Sequence, residues 1–127
     1  MTAPALRALA CAAMLCPAAA GPVAAQEATV QGTGVVLRAL DKMSGKTQDV
    51  ELPANATARF ERIEIDHAEC RYPAGNPSGD AFALLRIRDT LRGDQDVFLG
   101  WMMASAPALS ALDHPRYDVW VLRCTTS

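Results

Sequence analysis

Beyond its N-terminal stretch, the chain has no apolar run near the ~20 residues a bilayer-spanning helix requires, so the mature chain is expected to have no transmembrane segment. It has no C-x-x-C pair, no G-x-S-x-G elbow and no glycine-rich donor loop. These absences remove the usual signatures of a dithiol oxidoreductase and of an α/β-hydrolase nucleophile. Basic residues are in no excess either: 12 Lys and Arg stand against 14 Asp and Glu, a formal charge of −2. That balance argues against nucleic acid, which calls for a basic face, and against simple docking on anionic lipid. The acidic stretch Asp89 to Asp96 lacks the glutamate-terminated spacing of an EF-hand loop and reads as a solvated connection.

The N-terminus reads as a secretory signal. Arg7 forms a short basic start, Ala8 to Ala20 is an alanine-rich apolar region, and Val23-Ala24-Ala25 supplies the small residues of a cleavage site. Cleavage is expected after Ala25, with residues 1–25 removed, and the destination is the periplasm. An uncleaved anchor fits less well, because Pro17, Gly21 and Pro22 interrupt the run. Lipidation would need a branched apolar residue three before Cys11 or Cys16, where Ala8 and Ala13 stand. Export removes Arg7 and no acid, so the charge moves from −2 to −3.

The remaining Gln26 to Ser127 suffices for one small domain. Residues 26–34 read as a flexible lead-in and 35–127 as the domain. Two cysteines survive export, Cys70 and Cys124, and in an oxidising compartment a disulfide between them is the default.

Strands are expected at Val35 to Leu40, Thr47 to Leu52, Ala56 to Phe60, Arg62 to Tyr72, Ala81 to Arg88, Val97 to Met103 and Tyr117 to Arg123. Asp41 to Lys46 reads as a hairpin turn. Tyr117 to Arg123, apolar on both parities, reads as a central strand, with Trp120, Leu122 and Cys124 pointing one way. In Arg62 to Tyr72, Ile63 and Ile65 share one parity while Cys70 and Tyr72 share the other. If all four face the core, a β-bulge is needed near Asp66–Ala68. Ser105 to Leu112 reads as one short helix capped by Ser105 and stopped at His114-Pro115. The fold expected is all-β, a small single-domain sandwich or barrel of about seven short strands with one short helix before the last strand.

Four chemistries were weighed against these residues. Ser105 or Ser110 with His114 and Asp113 or Asp118 has the types of a hydrolytic triad but no oxyanion loop. His67, Cys70, His114 and Cys124 could form a two-His, two-Cys metal set, provided the thiols are not joined. A catalytic dithiol is disfavoured by the 54-residue separation of the cysteines. The fourth is a partner surface of Phe98, Trp101, Met102 and Met103. Nothing calls for a cofactor.

Two segments, LRALDKMSGKT (Leu37 to Thr47) and GWMMASAPALSALDHPRYDVWVLRC (Gly100 to Cys124), carry a family resemblance. The chain resembles the exported, mostly alphaproteobacterial family known as domain of unknown function twenty-one fifty-five, from about Val35 to Cys124. Met103 and Ala106 depart from it, standing where an aromatic and a serine are expected. The resemblance implies export and a single domain; it implies no reaction and no catalytic residues. The reading is a non-enzymatic binding or structural accessory of the cell envelope with an envelope protein partner.

Overall fold

The computed structural model describes Pro4 and residues 20–22, 27–93 and 95–127. The signal segment expected at 1–25 therefore lies mostly outside the described residues. Eight strands form two antiparallel sheets. The larger contains β1 (Thr29–Gln31), β4 (Ala56–Phe60), β5 (Ile63–Pro73), β6 (Phe82–Asp89) and β7 (Asp96–Met103). Its order is β1-β5-β6-β7, with β4 also on β5. The smaller is β3-β2-β8, from β2 (Gly34–Asp41), β3 (Thr47–Pro53) and β8 (Tyr117–Thr125). The long β5 serves two partners on one edge: β4 along residues 63–67 and β1 along 71–73.

Alternation dictates the packing. Val35, Leu37 and Ala39 of β2, Val50 and Leu52 of β3, and Ile63 and Ile65 of β5 are buried, as are Ala83, Leu85 and Ile87 of β6. The charged and polar neighbours between them face outward. The two inner faces make one core, the arrangement of a β-sandwich.

The expected bulge in β5 is present. His67 pairs with Leu85 and Glu69 with Leu84, leaving Ala68 as the extra residue. Ile63, Ile65 and His67 face the core before it, and Cys70 faces the core after it. A second bulge, in β8, corrects the sequence reading. Val36 pairs with Arg123 and Leu37 with Val121, so Leu122 is extra. Cys124 consequently points inward with Tyr117, Val119 and Val121, and away from the side of Trp120. The cysteines meet between the sheets as a disulfide with Cα atoms 5.7 Å apart.

Three further expectations change. Residues 29–31, placed in a flexible lead-in, form β1, and the link to β2 passes over the disulfide. Gly32 N–H donates to the Cys70 carbonyl at 2.7 Å and Thr33 N–H to the Thr125 carbonyl at 2.8 Å. A Cβ on Gly32 would lie 2.6 Å from the Thr125 carbonyl oxygen and 3.1 Å from Cys124 Cβ, so only glycine passes there. β8 is an edge strand and β2 the central one. Trp120, on the outer side of β8, lies across a groove from Pro107, Ala108 and Ala111 of the preceding loop. Finally, no helix forms over Ser105 to Leu112; the segment is a loop with a turn at 106–109. Ser105 is drawn to Asp80 and cannot cap a helix. Its N–H donates to Asp80 Oδ1 at 2.9 Å and its hydroxyl to Oδ2 at 2.5 Å.

Replacing both Cys70 and Cys124 by alanine is expected to cost about 4 kcal/mol in the chain-entropy model, read as a fall in urea midpoint with a steeper slope, since the freed denatured chain exposes more surface. A loss under 1 kcal/mol would mean the two sheets need no covalent tie.

Candidate binding site

Two regions carry polar or apolar features beyond ordinary packing. The first lies where β2 and β6 end and β8 begins. Asp89, with a fully buried side chain, accepts from His114 Nε2 at 2.9 Å, from Leu91 N–H at 3.0 Å and from Arg62 Nη2 at 3.2 Å. Burial pushes the Asp89 carboxyl up, but the bonds from His114, Leu91 and Arg62 together hold it below the ordinary carboxylate range. His114 Nδ1 accepts from the amides of Arg116 and Tyr117, both at 3.0 Å, so the ring hydrogen sits on Nε2 and goes to Asp89.

Asp41, also buried, accepts from Arg116 Nε and Nη2 and from the amides of Met43 and Ser44. Arg116 is the main reason its carboxyl lies far below the usual range. Tyr117 fills the space between these groups, edge-on to Phe60, with the Arg62 and Arg116 guanidinium carbons 5.6 and 5.4 Å from its ring centre.

This network resembles a catalytic cluster in composition but not in availability. Both nitrogens of His114 are engaged and the ring is buried, so it cannot serve as base to Ser105 or Ser110. The Ser105 hydroxyl is held by Asp80, whose carboxyl burial pushes up while the Ser105 and Ala81 bonds hold it below its ordinary value. Asp113 is exposed, and Asp118 turns back onto the Val119 amide. The metal set does not assemble either. Cys70 and Cys124 are spent on each other, His67 Nδ1 donates to the Pro53 carbonyl at 3.0 Å, and His114 belongs to Asp89. Among the described residues no three His, Cys, Asp or Glu side chains gather as a metal site.

The second region is the outer face of the larger sheet. Of the four residues expected to form a partner surface, Met102 is buried in the core and Phe98 packs against it. Alternation sends Leu99, Trp101 and Met103 the other way. Leu99 is 67% exposed and Trp101 40%. Ladder register sets Arg71, Phe82 and Met103 side by side across three strands, and Trp101 beside Leu84. With Thr29 and Ser110 they line a shallow trough of about 320 Å³ whose walls are almost wholly apolar. Arg71 closes one end, its Nε and Nη2 tied to the Thr29 hydroxyl and carbonyl, and Glu69 3.5 Å away. Phe82, Leu99, Thr29 and Arg71 were not singled out from the sequence. Only the register of β5, β6 and β7 reveals them as neighbours of Trp101.

The sandwich, its inter-sheet disulfide and the closing β8 segment occupy the stretch that matches a known family model. The match runs over residues 35–124, to the family described as "Uncharacterized protein conserved in bacteria (DUF2155)". The chain belongs to this family. A curated relative, "Uncharacterized protein RP359" of Rickettsia prowazekii (strain Madrid E), is 28% identical over 89 residues, covering 68% of this chain and 57% of that protein. The chain thus spans little more than half the length of that relative. No solved structure matches. The matched stretch takes in β3 to β7 whole, all but one end residue each of β2 and β8, the bulges at Ala68 and Leu122, and the Asp89–His114 pair; β1 lies before it.

Replacing His114 by alanine leaves the Asp89 carboxylate buried with one fewer partner and should cost about 3 kcal/mol, measured by chemical denaturation. Acid should act through the two buried carboxylates. Because both are depressed in the folded state, their stabilisation is present above the unfolded carboxylate value of about 4 and is lost as pH falls through their folded values. Melting temperature should fall as pH drops below about 4, and Asp41→Asn should flatten that fall.

Proposed function

We propose that this protein is an exported, non-enzymatic accessory of the cell envelope that binds a protein partner through the outer face of its larger sheet. The observation that carries the reading is Trp101, standing out from β7 beside the exposed Leu99 and above the apolar trough of Phe82 and Met103. A half-exposed tryptophan next to an apolar depression is the pattern of an interface hot spot, where a large rigid side chain gains most from being desolvated by a partner. The buried polar network supports the non-enzymatic part, since His114 is turned inward with both ring nitrogens engaged and the Ser105 hydroxyl is held by Asp80. Export and a periplasmic location are supported by the N-terminal pattern and by a disulfide in a small domain, which persists in oxidising compartments.

Crosslinking in intact cells, then capture of the tagged protein and mass spectrometry, tests the binding reading. One envelope protein should recur, and Trp101→Ala should weaken its purified complex by about 2 kcal/mol while leaving the fold intact. Met43→Ala, exposed on the β2–β3 turn, should leave it unchanged. Equal recovery with Trp101→Ala would remove the outer face as the binding surface. N-terminal sequencing of the cellular protein should begin at Gln26; a sequence beginning at Met1 or Thr2 would overturn cleaved export.

A further inference from the structure

The free edge of β8 has a built groove beside it that the partner surface on the larger sheet does not use. β8 pairs on one side with β2, and among the described residues no strand pairs with its other side. The direction of its backbone groups is set by two bonds. The Tyr117 amide donates to His114 Nδ1, and the Val119 amide donates to Asp118 Oδ1 at 2.9 Å; neither points to β2. By the alternation of an antiparallel ladder, the N–H and C=O of Val119 and Val121 face away from the sheet, as far as the bulge at Leu122. Opposite them runs the turn of the 104–116 loop. Pro107, Ala108 and Ala111 form one wall and Asp118, Val119 and Trp120 the other, around a groove of about 440 Å³.

The loop is held at that distance from both ends. Ser105 is fixed to Asp80, Leu112 is buried in the core, and His114 is fixed to Asp89. The groove is therefore a standing feature and not a gap that collapses. Its small side chains leave the strand edge open to a backbone but not to a bulky fold. A second copy, whose β8 would bring its own sheet and loop, meets the 107–111 wall. One extended segment fits.

The geometry points to strand addition at β8: the groove receives a single extended peptide segment with small apolar side chains and a lysine or arginine facing Asp118. The backbone of such a segment would accept the Val121 N–H and donate to the Val119 C=O, continuing the β3-β2-β8 sheet by one strand. Asp118 supplies the charge selection. Among the described residues it is the one charged side chain lining the groove, its hydrogen bond goes to its neighbour's amide, and no cationic side chain forms an ion pair with it. Its carboxylate holds the Val119 N–H until the carbonyl of an incoming strand takes its place, which frees it for a cation. An unpaired edge amide satisfied by its own side chain is also the device that keeps an edge from pairing indiscriminately.

The test is a titration of the ¹⁵N-labelled, disulfide-bonded protein with a capped pentapeptide of valine, alanine and valine residues around one central lysine. Amide resonances of Val119, Val121, Ala108 and Ala111 should shift saturably, and the Val121 amide should gain protection from exchange. Exchanging the peptide lysine for glutamate should weaken binding about tenfold, as should Asp118→Lys with the original peptide. Pairing Asp118→Lys with the glutamate peptide should restore it. Ala108→Phe, which fills the groove with an uncharged ring and brings no cation to Asp118, should abolish the shifts. No saturable shift up to millimolar peptide, indifference to Ala108→Phe, or equal binding of lysine and glutamate peptides would each overturn the proposal, while Trp101→Ala should leave the titration unchanged.

Discussion

The Cys70–Cys124 bond ties the two sheets, and it depends on a paired irregularity. Side chains on a strand alternate with period two, so a residue three positions beyond an inward one points out unless the strand gains an extra residue. Ala68 is that residue ahead of Cys70, and Leu122 ahead of Cys124. Each bulge turns one cysteine toward the other, and with only one of them a sulfur would face solvent. The crossing from β1 to β2 is built on the same spot, where Gly32 and Thr33 bond to the backbones of Cys70 and Thr125. A side chain at Gly32 has no room because the strands have already been drawn together there. In a domain of this size, which buries a modest share of its surface, a covalent tie closing a long loop does much of what a larger core would otherwise do.

The other pole is held by charge. Asp41 and Asp89 end their strands inside the sandwich, and each is matched by groups from the chain entering β8: Arg116 for the first, His114 for the second. Burying carboxylates is costly unless each lone pair is answered. Here amides, guanidinium groups and an imidazole answer them, and Tyr117 packs against the arginines. The arrangement also shapes the surface. Because His114 and Ser105 pin the 104–116 loop at its two ends, Ser110 borders the trough on the larger sheet, while Pro107, Ala108 and Ala111 border the groove along β8. Ser105 and His114 thus serve as fasteners of the loop that borders both the trough and the groove.

Much of this was legible in the linear chain. The β5 bulge followed from the parity clash between Ile63, Ile65 and Cys70, since the isoleucines and the cysteine had to share one core. The hairpin at Asp41 to Lys46 followed from turn residues, and the disulfide from cysteine count and compartment. The bulge at Leu122 left no such trace, because Trp120 and Leu122 are as apolar as Val119 and Val121, and apolarity on both parities hides which one faces in. The Ser105 to Leu112 helix failed for a related reason. Its spacing suited a helix, but Asp80, distant in sequence, captures Ser105, while the core takes Leu112 and Asp89 takes His114.

The sequence by itself determined the all-β class, because period-two alternation is a local property, and it pointed to the Cys70–Cys124 pair, because these are the two cysteines outside the alanine-rich N-terminal segment. Tertiary structure alone decided which tryptophan stands out beside an apolar trough, that His114 is bound to Asp89 and His67 Nδ1 to the Pro53 carbonyl, and that β8 has no strand on its outer side among the described residues. Those facts rest on which strands become neighbours and in what register. That is a property of the assembled sheets, which no single stretch of the chain encodes.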